Sequence, residues 1–277
     1  MELRNPAFQE RTPDECFRMV AEAGYDGICI DPSVDEIPQF QALAPLFREY
    51  GLDCMMNAFP YAPDDMQRLY RLAADLDAKL VNIVGGVMPI HPHDAVPCIR
   101  RWIKEAADVP VLFETHRDSL LNDLYFTLQV IDLVPEMRLC ADLSHIVVDR
   151  EMRDPVSERD QSFIERILDR SDCFQGRVAS REQVQIQLDF PQHQPWVRLF
   201  RGWWEEGMRR WRQRNGDDAN LIFLCELGPP PYAITDGDQQ ELSDRWQEAL
   251  TIRSWVLETW ARLEARDDQG RGENHED

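Results

Sequence analysis

The sequence predicts an α/β protein built as a closed (β/α)8 barrel, the TIM-barrel class. Short β-rich apolar runs alternate with longer amphipathic stretches from about residue 12 to about residue 265. The chain has 277 residues, 43% of them apolar, which is enough to bury the core of one barrel. Because no linker interrupts the alternation, covering helices on buried parallel strands favour a closed barrel over an open sheet.

The individual elements follow in order. A capping signal at Thr12 opens the first helix, and Gly24 ends it before the first apolar run. Strands are predicted at residues 27–31, 52–59, 79–86, 111–116, 137–145, 174–179 and 221–228. Further helices are predicted near residues 37–50, 64–77, 95–107, 120–134, 160–171, 196–214 and 240–264.

The two ends of the chain depart from this pattern. Before the first helix, only residues 2–8 could supply an eighth strand, and Pro6 interrupts them, so we expect an irregular or missing first strand. Residues 266–277 are polar, charged and without periodicity, which predicts a disordered acidic tail. The sequence therefore predicts a single barrel domain over residues 1–265.

Composition excludes several classes of partner. The chain carries 30 basic and 51 acidic residues, a formal net charge of -21, which repels nucleic acid and anionic lipid. We therefore expect neither a nucleic-acid nor a membrane partner, and a cytoplasmic location is expected because no spanning or signal segment is evident. The seven cysteines include no C-x-x-C pair, which argues against a disulfide framework or a structural zinc site.

An aromatic stripe marks one predicted helix. Its spacing of i, i+4, i+7 and i+8 from Trp196 to Trp211 indicates one broad apolar face. This face suits packing on the barrel, and a homo-oligomer is left open because a second copy could cover it.

Polar residues that end the apolar runs are the candidates for chemistry, because catalytic groups of such barrels lie at the carboxyl ends of the strands. Three of them are carboxylates, and burying three carboxylates together is costly unless a cation binds them. A hard divalent cation with oxygen ligands would turn their repulsion into binding. The four candidates are Glu114, Asp142, Gln175 and Glu226.

Further polar residues stand beside these candidates. His116 and Arg177 each lie two residues after one of them, on the same strand face, and His145 lies three residues after Asp142. His91, in a loop after the third run, and Tyr232, after three prolines that set a rigid turn, are further candidates for substrate binding.

Four segments in this order resemble those of the xylose isomerase-like TIM barrels, the sugar isomerase/epimerase superfamily. They are FETHRDSLLNDL, CADLSH, QGRVASREQVQ and CELGPPPY, and the resemblance runs over residues 12–260. Members bind one divalent cation through Glu, Asp, His and Glu. The resemblance thus implies metal ligation by Glu114, Asp142, Gln175 and Glu226, with Mn²⁺ or Mg²⁺ expected and Co²⁺ or Zn²⁺ as alternatives.

Gln175 departs from the common pattern, because sugar isomerases and ketose epimerases usually have His there. An amide oxygen still suits Mg²⁺ or Mn²⁺ but is a poor ligand for zinc. Members with Gln include dehydratases of cyclic polyol ketones, resembling 3-dehydroshikimate and keto-inositol dehydratases. Those also pair a Glu-x-His with an Asp-x-x-His, as this sequence does.

The implied activity is a metal-dependent isomerase or epimerase of a sugar or keto-sugar, working by proton transfer beside a carbonyl. Glu114 and Glu226 would act as base and acid, and Arg177 would bind the substrate. In the alternative dehydratase, His116 or His145 would protonate the leaving hydroxide. A barrel without catalysis is the third alternative. The expected partner is a small carbohydrate or polyol.

Overall fold

The barrel is present, with its strands in sequence order. The computed structural model describes residues 11–216 and 219–273. Within these ranges seven parallel strands form one nearly closed sheet, which confirms the predicted fold class. The strands are β1 (Gly27–Ile30), β2 (Asp53–Ala58), β3 (Leu80–Ile83), β4 (Val111–Glu114), β5 (Leu139–Ala141), β6 (Ser171–Gln175) and β7 (Ile222–Leu224).

Helices alternate with the strands and cover the outside of the sheet. In the described part of the chain they are α1 (Pro13–Glu22), α2 (Ile37–Gln41), α3 (Ala44–Tyr50), α4 (Met66–Asp75), α5 (Pro92–Glu105), α6 (Leu124–Leu133), α7 (Leu143–Asp149), α8 (Glu158–Arg170), α9 (Gln194–Asn215) and α10 (Arg245–Glu273). The first begins as its sequence predicts, since Thr12 and Glu15 form a complete capping box. None of these helices has the length and apolar content needed to cross a membrane.

Two apolar layers hold the barrel. The larger lies between the sheet and its covering helices and includes Trp102, Phe174 and Trp204. The smaller fills the barrel interior and consists of Met55, Leu80, Leu112, Cys140 and Cys173. Because side chains alternate along a strand, the residues two positions later face the same interior. The interior cluster therefore forms the floor beneath whatever lies at the carboxyl ends.

Several predicted boundaries differ from the structure. The helix expected at residues 37–50 is divided into α2 and α3, because Pro45 sits at the start of α3 and cannot continue a preceding helix. The run expected at residues 137–145 ends as a strand at Ala141, and α7 follows it.

A third difference concerns the strand expected at residues 174–179. β6 begins earlier, at Ser171, because its first polar side chains have partners: Ser171 Oγ donates to the Ile167 carbonyl, and Asp172 pairs with Arg138 and Arg214. Polar residues that are satisfied in this way can open a strand that periodicity alone would start later.

The junction between β7 and β1 is the irregular part of the barrel. Among the described strands, β1 and β7 each pair on one side only, and a cavity of about 620 Å³ lies against them, lined by residues such as Cys29, Ile30 and Leu224. Residues 2–8, where an eighth strand is predicted, lie outside the described residues.

The division of the chain at residue 265 stays a prediction. α10 continues to Glu273, so the described part of the predicted disordered tail is helical. Residues 274–277 lie outside the described ranges.

Helix α9 approaches β6 closely at one glycine. The aromatic stripe is buried against the barrel, including Phe200, Trp203 and Trp204. A Cβ atom on Gly207 would lie 2.5 Å from Cε1 and 2.6 Å from Cζ of Phe174. Phe174 directly precedes Gln175, so this contact fixes the strand at the point where it delivers a candidate site residue.

We expect Gly207→Ala to lower the free energy of unfolding by about 1–3 kcal/mol, because the new methyl group overpacks against Phe174. The matched control is Gly202→Ala in the same helix, where an added Cβ has no neighbour within 4 Å. It should raise stability by about 0.5–1 kcal/mol through helix propensity. Urea unfolding of both variants measures the difference, and equal effects would contradict the close packing of α9 on β6.

Candidate active site

One polar residue per described strand faces the barrel interior above the apolar floor. In each strand, the inward apolar residue is followed two positions later by a polar one, as in Leu112 with Glu114 and Cys173 with Gln175. The seven polar residues are Asp31, Asn57, Asn82, Glu114, Asp142, Gln175 and Glu226. The carboxyl ends of the strands therefore carry a ring of carboxylates and amides.

Three carboxylates of this ring converge. Single oxygens of Glu114, Asp142 and Glu226 all lie within 4.8 Å of one another. Glu114 is 3% and Asp142 0% exposed. The Glu226 side chain is 26% exposed. The carboxylate cluster, as we call these three residues, is thus open to solvent mainly on the Glu226 side.

The guanidinium of Arg177 is bound inside this cluster. Its Nη2 donates to Asp142 Oδ2, and its Nη1 lies 3.0 Å from Glu226 Oε1. Its Nε donates to Ser144 Oγ at 3.0 Å. Arg177 is 1% exposed, so it is a buried counter-charge shared by two of the three carboxylates.

Gly176 lies between Gln175 and Arg177 in the sequence and faces away from the site. A Cβ atom at this position would lie 2.5 Å from the Phe223 ring, so only glycine fits between β6 and β7 here. The Gly176 amide donates to the Leu224 carbonyl at 2.6 Å, which extends the sheet pairing one residue past β6.

A chain of amide side chains holds Glu114. Asn82 Nδ2 donates to Glu114 Oε2 at 2.5 Å, and Gln175 Nε2 donates to the same oxygen at 2.8 Å. Asn82 also donates to Asn57 Oδ1 at 2.9 Å, and Asn57 donates to Asp31 Oδ1 at 3.0 Å. This amide chain fixes one oxygen of Glu114 and leaves Oε1 outside both of these bonds.

Sequence reasoning missed the amide chain. Asn57 and Asn82 are single polar residues inside otherwise apolar strands, and both are buried. The available signal was their register, since each lies two residues after an inward apolar residue. The search for polar residues at the ends of strands passed over them because each strand continues for one more residue.

Asp142 has a second role in the fold. It is the N-cap of α7, and its Oδ1 accepts hydrogen bonds from the backbone and hydroxyl of Ser144 at 2.9 and 2.5 Å. His145 consequently lies in the first turn of a helix rather than on a strand end. Its Nε2 is 3.3 Å from Asp142 Oδ2.

Two histidines lie side by side at the cluster. The ring centroids of His116 and His145 are 3.9 Å apart, and one nitrogen of each lies within 4.8 Å of a Glu114 oxygen. Arg177 Nη2 is 2.9 Å from His145 Nε2. Because a guanidinium only donates, Nε2 accepts, so a neutral His145 carries its proton on Nδ1. Nδ1 of both rings is buried without a hydrogen-bond partner among the described residues.

The two remaining candidates have different positions. The guanidinium carbon of Arg177 lies 5.1 Å from the centroid of Tyr232, so the structure brings Tyr232 to the cluster. The loop before Tyr232 is anchored by Gln185, which exchanges two hydrogen bonds with the backbone of Gly228. His91 is exposed at the N-cap of α5, and no described contact joins it to the cluster. Its predicted contact with substrate stays a prediction.

Burial and neighbouring charge shift the pKa values of the acids in opposite directions. Burial, with repulsion from Glu226 and Asp142, raises the pKa of Glu114 well above its usual value. Burial raises the pKa of Glu226 to about 7, although Arg177 opposes this. Burial would also raise the pKa of Asp142, but Arg177, His145 and Ser144 outweigh it and lower that pKa to about 2.

Burial lowers the pKa of both histidines as well, and that of His145 lies well below its usual value. Both rings are therefore neutral at pH 7. A neutral imidazole orients a substrate oxygen well but is a poor proton donor, which weakens the role of leaving-group acid that the sequence suggested for them.

The residues present fit a divalent cation. When all three carboxylates are ionised, the one guanidinium leaves two negative charges in the cluster, which a divalent cation would balance. Gln175 Oε1 and Glu226 Oε2 are buried acceptors without a hydrogen-bond partner in the described part of the chain. An oxygen-only donor set of this kind suits Mg²⁺ or Mn²⁺ better than zinc.

Several solved structures share the fold of this chain. No protein-family model matches this chain, and no curated protein matches its sequence. A xylose isomerase-like TIM barrel protein from Mycobacterium smegmatis, in complex with magnesium, is 15% identical with a TM-score of 0.61, covering 94% of each chain. D-allulose 3-epimerase from Methylomonas sp. is 14% identical with a TM-score of 0.57, covering 90% of this chain and 91% of that chain.

A third solved structure, L-ribulose 3-epimerase, is 14% identical with a TM-score of 0.55, covering 93% of this chain and 92% of that chain. The fold is thus that of the xylose isomerase-like TIM barrels, as the four sequence segments indicated. At such identities the similarity establishes the fold alone.

The metal-free protein should lose stability as the pH rises from about 4.5 to about 7. Over this window the folded state retains a proton on Glu226 that the unfolded chain releases, so the free energy of unfolding falls by up to about 1.4 kcal/mol per pH unit for each retained proton. The lowered pKa of Asp142 has the opposite effect, since it makes the free energy of unfolding rise with pH, but only below about pH 4. Urea unfolding in EDTA across this window measures the slope.

Glu226→Gln is the control, because the acidic residues outside the cluster contribute equally to both proteins. Losing the charge of Glu226 also lowers the pKa of Glu114, which acts in the same direction. The variant should show a shallower decline, and excess Mg²⁺ should remove the decline in the wild type since ions and protons compete for the same oxygens. Identical slopes in the two proteins would contradict a shared proton in the cluster.

Proposed function

We propose that this protein is a divalent-metal-dependent isomerase or epimerase of a sugar or keto-sugar. The observation that carries the proposal is the convergence of Glu114, Asp142 and Glu226 at the carboxyl ends of the strands. Gln175 completes the proposed ligand set, with its unpartnered Oε1 as the donor. The fold shared with sugar epimerases supports this reading.

The metal, when bound, would polarise a substrate carbonyl and so acidify the adjacent C–H bond. Mg²⁺ or Mn²⁺ suits the oxygen donors of the four proposed ligands best. The substrate class is a small carbohydrate or polyol ketone.

Glu226 is the better placed of the two glutamates to take a proton. It is the partly exposed member of the carboxylate cluster, and its pKa of about 7 keeps it poised between its two protonation states at neutral pH. Glu114 lies deeper, with Oε2 held by two amides, so only its other oxygen is available to a substrate.

The strand order separates the two glutamates. β4 carries Glu114, and β5 and β6 lie between it and β7, which precedes Glu226. Carboxylates that approach from different sides of the barrel can remove a proton from one face of a carbon and return one to the other. This arrangement supports epimerisation or isomerisation.

A metal-dependent dehydratase of a cyclic polyol ketone is the second candidate. The observation that favours it is Gln175 together with the adjacent pair His116 and His145. In that reaction the Nδ1–H of His145 would hydrogen-bond to the leaving hydroxyl and hold it in position.

Glu226→Gln tests the assigned base. The amide keeps an oxygen and the side-chain volume but cannot accept the proton, so exchange should fall by at least about 100-fold. The reaction is followed as deuterium uptake from D₂O into D-fructose, D-allulose and L-ribulose by NMR, with Mn²⁺ content measured by mass spectrometry. Metal should be retained at lower affinity. Undiminished exchange in this variant would reject Glu226 as the base.

His145→Asn separates the two candidate reactions. Because His145 lies beside the cluster as a neutral donor, its loss should leave metal content unchanged. In a dehydratase, loss of water from 3-dehydroshikimate, followed by the absorbance of the aromatic product, should fall more than deuterium exchange in the same substrate. In an epimerase, exchange and product formation should fall together. Loss of metal from this variant would mean that His145 is itself a ligand.

A further inference from the structure

Four of the five N–H donors of Arg177 are engaged within the site, which leaves one N–H on Nη1 and no pair of parallel donors for a substrate anion. Its three nitrogens are engaged by Ser144, Asp142 and Glu226, and Nη2 also contacts His145. Releasing any of these partners would leave a buried group uncompensated, which costs several kcal/mol. A two-pronged contact with a charged substrate therefore calls for a second cation beside Arg177.

Arg117 is a second arginine close to the carboxylate cluster. It follows His116 in the loop after β4, three residues beyond Glu114, and it is half-buried. In the described part of the chain no carboxylate lies within ion-pair distance of it, although the protein carries 51 acidic residues. Its guanidinium carbon lies 5.9 Å from the centroid of the Tyr232 ring.

Tyr232 connects this arginine to the carboxylate cluster. The same ring lies 5.1 Å from the guanidinium carbon of Arg177. Both arginines thus contact one aromatic side chain at the mouth of the barrel. Arg117 is the one of the two without a carboxylate partner among the described residues.

The two histidines beside Arg117 each have a buried ring nitrogen without a hydrogen-bond partner among the described residues. His145 is 2% exposed, and its Nδ1, which carries the proton, has no partner among the described residues; Nδ1 of His116 is likewise unpartnered. His116 directly precedes Arg117 in the chain, and the ring centroids of His116 and His145 are 3.9 Å apart. The site therefore has an acceptor half, the carboxylate cluster, and a donor half around Arg117.

We propose that Arg117 binds a carboxylate group of the substrate. This inference rests on the proposed function and narrows its substrate class to sugar acids or keto acids. A guanidinium pairs with a carboxylate through two parallel hydrogen bonds, and a charge-assisted pair is about twice as strong as a neutral one. A dianionic phosphate is less suited, because a single guanidinium balances only one of its two charges.

The test is equilibrium binding of unreactive probes by titration calorimetry in excess Mg²⁺. D-gluconate and D-glucitol have the same six-carbon chain and no ketone or aldehyde, and they differ only at C1, which is a carboxylate in the first and a CH₂OH group in the second. The wild type should bind D-gluconate at least about tenfold more tightly than D-glucitol. In Arg117→Gln this ratio should fall to within about twofold, and Arg117→Lys, which keeps the charge without the fork, should give an intermediate ratio.

Arg181→Gln is the matched control, since Arg181 lies in the loop after β6 and pairs with Glu151 at 2.8 Å. It should keep the wild-type ratio. Urea unfolding checks that each variant folds. If Arg117→Gln does not fold, the binding ratio of Arg117→Lys serves as the test.

Three results would overturn the proposal. They are equal affinity for the two probes, a gluconate preference that survives in Arg117→Gln, and tighter binding of D-glucitol 6-phosphate than of D-gluconate through Arg117. None of them affects the proton-transfer function, which deuterium exchange into neutral ketoses tests separately. Conversely, absent exchange with an intact, Arg117-dependent gluconate preference would reject the proposed function while the anion site stands.

Discussion

The arrangement at the barrel mouth depends on one interaction, the buried guanidinium of Arg177 between Asp142 and Glu226. Without a cation there, three carboxylates within 4.8 Å of one another could not share a water-poor pocket. Arg177 neutralises only part of their charge. The remainder is divided unequally: Asp142 is held ionised, whereas Glu114 and Glu226 hold protons more tightly than usual. Carboxylates that hold protons in this way can release them when a metal ion binds.

The barrel supplies the geometry for this cluster through the simplest periodicity of a strand. An inward apolar residue followed two positions later by a polar one places the floor and the reactive groups in successive layers. Gly176 and Gly207 then set how closely β6 meets β7 and α9, and Gln175 lies between these two contacts. Packing outside the barrel thereby determines the position of side chains inside it.

Much of this could be predicted from the sequence. The alternation of runs gave the fold class, and polar residues at the ends of strands gave Glu114, Asp142 and Glu226, because both depend on local periodicity. The register of Asn82 and the pairing of Arg177 could not be predicted, since each depends on a contact between segments 32 to 49 residues apart. Arg177 was expected to bind substrate, and only the three-dimensional structure shows its donors engaged.

The amide chain has a direction that its ends impose. A carboxylate can only accept, so Asp31 requires Asn57 to turn its amino group outward and its carbonyl inward. That carbonyl in turn requires an amino group from Asn82, which then also serves Glu114. An exposed residue at the rim of β1 thus dictates which atom a buried glutamate meets three strands away. Polarity is transmitted here through the orientation of the amides alone, and an ionised Glu114 at the other end requires the same orientation of Asn82.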